Sequence, residues 1–160
     1  MANVYYAQPL LDALAADFSL STGVIGGVVT VTQVGSAIAL LLLVPLGDML
    51  NRRRLLLVQL WSLVLALVLV ASASASAYLL AGMLFVGMLG TAMTQGLIAY
   101  AATIAAPTER GRVVGTTQAG VLVGLLSARV LAGAIADLSS WRMVYLVSAG
   151  LMLLLSLIHI

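Results

Sequence analysis

Of the chain's 160 residues, 63% are hydrophobic and 8% charged, and the mean hydropathy is +1.20. An ordinary soluble domain carries roughly a quarter charged residues, so this much apolar surface excludes a water-soluble fold of this length. The formal charge of +2 comes from seven basic residues against five acids; all seven are arginines and most stand in two short clusters between apolar runs, which argues for membrane-topology signals and against a nucleic-acid surface.

Crossing a hydrocarbon core of roughly 30 Å takes about 20 mostly apolar residues. Six such stretches succeed one another, at residues 1–16, 22–46, 55–73, 77–105, 113–136 and 143–160. The first is short, has no basic region before it and no clear cleavage site, so it reads as a truncated helix already under way and not as a removable signal peptide. The last stops inside an apolar run, and both ends are therefore expected to be cut. Residues 12–21, with Asp12, Asp17, Ser19 and Ser21, form a polar link. Pro45 and Gly47 punctuate the end of the second stretch, and residues 47–54 are expected to be a loop because three consecutive arginines do not lie in hydrocarbon. A Ser/Ala turn follows the third stretch, Pro107-Thr108-Glu109-Arg110-Gly111-Arg112 closes the fourth, and residues 137–142 close the fifth. The expected fold is an all-α membrane protein, a bundle of six transmembrane helices.

Orientation follows from the arginines, which are retained on the cytoplasmic side of short loops. The loops after the second and fourth spans hold Arg52, Arg53, Arg54, Arg110 and Arg112, whereas those after the first, third and fifth hold only Arg142. The amino terminus and both clusters are thus expected in the cytoplasm, with Trp141 and Tyr145 in an interfacial belt on the far side.

Within the spans, Gly23, Gly27, Gly82, Gly87, Gly90, Gly120 and Gly124 recur at intervals that let helix backbones approach closely, either as fixed packing or as smooth surfaces that slide. Arg129 lies well inside the fifth span, where a charge costs roughly 2.5 to 3.5 kcal/mol on insertion scales. It either faces a watery pathway or reaches back toward Asp137 at the membrane surface. Gln118, eleven residues earlier, falls on nearly the same helix face. Thr91 and Gln95, with Tyr100, make a comparable stripe in the fourth span, and Tyr5, Tyr6 and Gln8 supply the first; each can line a solute pathway or bond a neighbouring helix. Among the acids only Asp12 sits where a proton carrier could be exposed to both sides. With no cysteine, no phosphate-binding glycine loop, no metal-ligand cluster and no nucleophile beside a base, the sequence points to no enzyme, no metal and no cofactor.

The run Val44-Pro45-Leu46-Gly47-Asp48-Met49-Leu50-Asn51-Arg52-Arg53 resembles the signature loop of the major facilitator superfamily, Gly-x-x-x-Asp-Arg/Lys-x-Gly-Arg/Lys-Arg/Lys, between its second and third helices. Asp48, Arg52 and Arg53 fall in register, while Val44, Met49 and Asn51 depart from it. Asn3-Val4-Tyr5-Tyr6-Ala7-Gln8-Pro9-Leu10-Leu11 resembles the first helix of bacterial members labelled efflux permeases. Pro107 to Arg112 resembles their loop between helices four and five, and Trp141-Arg142-Met143-Val144-Tyr145 the start of helix six.

The resemblance implies the amino-terminal half of a 12-helix carrier in a bacterial inner membrane. Its partners would be the lipid bilayer, a small-molecule substrate and a carboxy-terminal half, and its transport secondary and active, by alternating access, in the direction of efflux. It further implies that Asp48, Arg52 and Arg53 latch the two halves in one conformation, beyond their effect on topology. Two departures bear on proton coupling: Met83 stands where many drug and proton antiporters have an arginine, and Gly124 is followed by Leu125 where their motif has proline. A self-contained six-helix channel, a homodimeric transporter and a non-transporting scaffold remain open on the residues alone.

Overall fold

The computed structural model describes residues 10–19 and 22–159, with side chains for all of these except 22, 48 and 155–159. Among the described residues every regular element is helical. The elements are α1 (Leu11–Phe18), α2 (Thr22–Ile38), a π-helical turn (Ala39–Leu43), α3 (Val44–Met49), α4 (Arg52–Ala71), α5 (Ser76–Ile104), α6 (Arg110–Leu138) and α7 (Trp141–His159). α2, the π turn and α3 follow without interruption as one rod. That rod, α4, α5 and α6 are each long and apolar enough to cross a membrane. Lipid offers no partners to backbone N–H and C=O groups, so such segments close all their hydrogen bonds within themselves and become helices.

The polar link expected at residues 12–21 is instead mostly helix. Leu10 and Leu14 are fully buried and Phe18 packs against the same core, a four-residue spacing that lays one apolar stripe on the bundle and carries α1 past Asp12 and Asp17. The helix stops at Ser19, whose left-handed backbone (φ 51°) turns its N–H back to the Ala15 carbonyl.

The loop expected at residues 47–54 shrinks to Leu50 and Asn51. α3 runs through Pro45 and Gly47 because the π turn precedes them: the Val44 N–H reaches the Ala39 carbonyl five residues back, a wider turn that relieves the crowding a proline ring otherwise causes one turn upstream. Asn51 then caps α4, its side chain accepting from the Arg54 N–H at 3.3 Å, as asparagine does at a helix start. The arginines therefore stand in the first turn of α4, and Arg110 and Arg112 likewise begin α6.

α5 is the hub. It packs most extensively on α2 and α4; α4 also packs on α7, while α6 touches α5 and α7 more lightly. Half of α5's most apolar window is buried, against 11% for α6. At the α2–α5 crossing, a Cβ on Gly35 would overlap the Leu84 carbonyl oxygen and one on Gly87 the Thr32 carbonyl oxygen. Only glycine lets two backbones meet this closely. At Gly82 a Cβ would instead press on the Val70 side chain of α4. A Cβ on Gly23, Gly27, Gly120 or Gly124 would meet nothing within 4 Å among the described residues.

Candidate functional site

Polar chemistry gathers at the two ends of the bundle and in one seam between α2 and α5. At the arginine-rich end, the antiparallel α4 and α5 bring Arg52 to the last turns of α5. Its Nη1 donates to the Ala99 carbonyl at 3.2 Å and to the Thr103 hydroxyl. A guanidinium there also meets the negative end of the α5 dipole. Arg53 and Arg54 are exposed. The backbone of Asp48 lies in α3, and its side chain is outside the described set.

Behind Arg52 lies a small cavity of about 100 Å³, between the end of the α2–α3 rod, α4 and α5, into which Gln59, Gln95, Gly47 and Gly96 also face. Gln59 is 4% exposed, and its Oε1 has no hydrogen-bond partner among the described atoms. At about 30 Å³ per molecule the space suits a few waters, which a lone amide oxygen calls for. Sequence reading singled out Gln95 but passed over Gln59, a lone amide in a leucine-rich stretch that nothing local marks as buried.

In the α2–α5 seam, Thr91 is 2% exposed. Its hydroxyl donates to Ser36 Oγ at 2.9 Å, and Ser36 donates to the Thr32 carbonyl at 3.1 Å and the Gly87 carbonyl at 3.3 Å. Thr91 thus bonds a neighbouring helix in this conformation. Gln118 and Arg129 lie on the exposed side of α6, and Tyr100 is also exposed on α5. Asp12 is exposed on α1. Tyr5, Tyr6 and Gln8 lie outside the described residues. Met83 is 1% exposed, and its sulfur accepts from the buried Tyr145 hydroxyl at 3.8 Å, so a soft apolar contact holds that position on α5.

At the opposite end, Asp17 joins three elements. Trp141 Nε1 donates to its Oδ2 at 3.0 Å and Arg142 Nη1 donates to the same oxygen at 2.6 Å. Arg142 Nη2 donates to the Ala73 carbonyl of the α4–α5 turn at 3.2 Å. The guanidinium carbon stands 4.4 Å from the centre of the Trp141 ring, which in turn meets Phe18 and Tyr145 at 5.9 and 6.0 Å. The Arg142 and Trp141 donors hold the Asp17 carboxyl below its ordinary value of 3.8, with burial opposing them weakly. Asp17 and Arg142 were read only as loop charges, because 125 residues separate them.

Residues 1–160 match the sequence model of the Major Facilitator Superfamily. The chain is 44% identical over 157 residues to the uncharacterized transporter YgaY of Escherichia coli, in strains K12 and O157:H7 alike, covering 98% of this chain and 40% of either relative. It is also 44% identical over 54 residues to the Streptomyces coelicolor protein named "Probable transporter SCO4007", covering 34% of this chain and 13% of that protein. No solved structure matches it. The chain therefore spans about two fifths of the length of the curated relatives it matches most fully. An all-helical membrane bundle, matched from its first residue to its last, belongs to the Major Facilitator Superfamily.

Proposed function

We propose that this chain builds the first of two helical bundles of a secondary active carrier that exports a small organic solute by alternating access, from the inner membrane of a bacterium. The observation that carries the reading is the family match over all 160 residues to relatives of which the chain covers 40%, which leaves room in them for a second bundle. Carriers built from two such repeats rock them about a site near the midplane.

In this reading the arginine-rich end faces the cytoplasm, since five of the seven arginines lie there and one, Arg142, lies at the other. Gln118 and Arg129 on the open side of α6, with Gln95, Tyr5, Tyr6 and Gln8, line the solute pathway. Thr91 adds to it only when α2 and α5 part. Asp48, Arg52 and Arg53 form the latch toward the second bundle, and within this bundle Arg52 is held against the end of α5. Asp12 is the proton carrier should transport be proton-coupled.

The test is solute flux by the full-length carrier in proteoliposomes. Arg129→Leu should abolish flux while insertion and folding stay normal, because the charge serves the pathway. Unchanged flux would overturn the pathway role.

A further inference from the structure

The core-facing stripe of α4 breaks its own pattern at one position. Leu56, Gln59, Leu63, Leu67 and Val70 follow one another at helical spacing, and Leu63, Leu67 and Val70 are each 1% exposed or less. Gln59 is buried like them, at 4% exposure, yet its Oε1 accepts no hydrogen bond among the described residues. A buried acceptor left alone is destabilising, so the amide calls for a donor. The backbone N–H groups around it are spent within α4 and α5, and the donor must come from outside the helices.

The space beside the amide selects that donor. The cavity of about 100 Å³ behind Arg52 is lined by both Gln59 and Gln95, and Gly96 keeps it open: a Cβ there would stand 3.9 Å from Gln59 Oε1 and 3.1 Å from Leu56 Cδ2. A cation entering it would meet the Arg52 guanidinium, and an anion would meet the lone pairs of Oε1. A neutral molecule that both donates and accepts suits the two amides. Turning the Gln59 amide over puts a donor where the acceptor stood, and water serves either.

We propose that Gln59 anchors a water-filled recess that bridges α4 to α5 and enters the bundle from its arginine-rich end. Arg52 and Gln59 both line it, so at 1.5 Å per residue the water descends about 10 Å along α4, a third of a roughly 30 Å hydrocarbon core. It ends above Leu63, where the stripe turns apolar and offers water nothing to bond. Water-mediated bonds are nearly as favourable as direct ones, so the recess joins the two helices where no direct side-chain bond from Gln59 does. The inference rests on the membrane-spanning fold and is independent of substrate and of the direction of transport.

Rapid X-ray radiolysis of the full-length protein in nanodiscs tests it, because hydroxyl radicals form from water and oxidise the side chains beside it, while lipid-covered side chains are spared. Oxidation mapped by peptide mass spectrometry should be several-fold greater at Leu56, which lines the recess, than at Val58, which is 63% exposed on the outer side of α4 at nearly the same depth, or at the buried Leu63. Gln59→Leu should leave a monodisperse folded species and bring Leu56 down to the Val58 level. Gly96→Ala, which adds a methyl group beside Oε1, should lower Leu56 oxidation by a smaller factor. Equal oxidation of Leu56 and Val58 would overturn the recess as a water site, and Leu56 oxidation unchanged in both variants would overturn Gln59 as its anchor.

Discussion

The Asp17 carboxylate is the single acceptor on which the end of α1 and the start of α7 converge, and Arg142 extends the contact to the α4–α5 turn. Because its folded-state pKa lies below the ordinary 3.8, its contribution to stability is complete above that value and fades as the pH falls through it toward the lowered one. Wild-type protein should thus melt above Asp17→Asn at pH 7 and pH 5, and the gap should narrow as the pH falls below 3.8; a gap independent of pH would contradict the charge-assisted contact. An exposed pair contributes little in general, so the clearer readout is local. With no native cysteine, a single cysteine at Ala13 or Ala16 should react faster with a soluble maleimide in Asp17→Asn than in the wild type. In the α2–α5 seam, Thr91→Val removes the donor to Ser36 and should cost about 0.6 kcal/mol, with an upper bound near 1.7, as interhelical hydrogen bonds in membranes do. An equilibrium unfolding series in mixed micelles measures it.

Individual helices show which small residues hold the bundle. Gly87→Val must push α2 and α5 apart at the Thr32 carbonyl, an overpacking that costs typically about 1–3 kcal/mol and more where the obstacle is backbone. Its expected signature is normal membrane insertion with loss of the monodisperse folded species on size-exclusion chromatography. Gly120→Val, with nothing within 4 Å of its Cβ position, should leave the fold intact. The existence of the long apolar helices was legible from hydropathy alone, because each is long and apolar enough to cross a membrane. The faces were not: Gly87 and Gly120 look alike in sequence, and only a neighbour from a distant segment, Thr32, makes one a contact while the Cβ position of the other is open. The loop expected at residues 47–54 is confined to Leu50 and Asn51, a difference of extent with a related reason. Charge density marked the run as polar, but arginines can stand in a helical turn and reach a membrane surface with long stems, so a polar run need not be a loop. Asn51 was the available signal, a capping residue just before the arginines.

At the scale of the whole molecule, the fold sorts charge between two ends. Antiparallel α4 and α5 gather Arg52, Arg53, Arg54, Arg110 and Arg112 at one end, and the Asp17–Trp141–Arg142 cluster ties the other. That asymmetry was readable in the sequence, whereas the cluster itself was not, since its members come from opposite ends of the chain. α6 is the least covered of the long helices, and in the proposed carrier its open side serves the pathway. The proposed carrier requires this bundle to cross a bilayer with its arginine-rich end inside. Single cysteines placed at Asn51, Thr108, Ser74 and Ser140 of the full-length protein, probed in intact cells with a membrane-impermeant maleimide, test it most directly. Ser74→Cys and Ser140→Cys should label from outside, and Asn51→Cys and Thr108→Cys only after the membrane is permeabilised; labelling of Asn51→Cys and Thr108→Cys in intact cells would contradict both the topology and the carrier built on it.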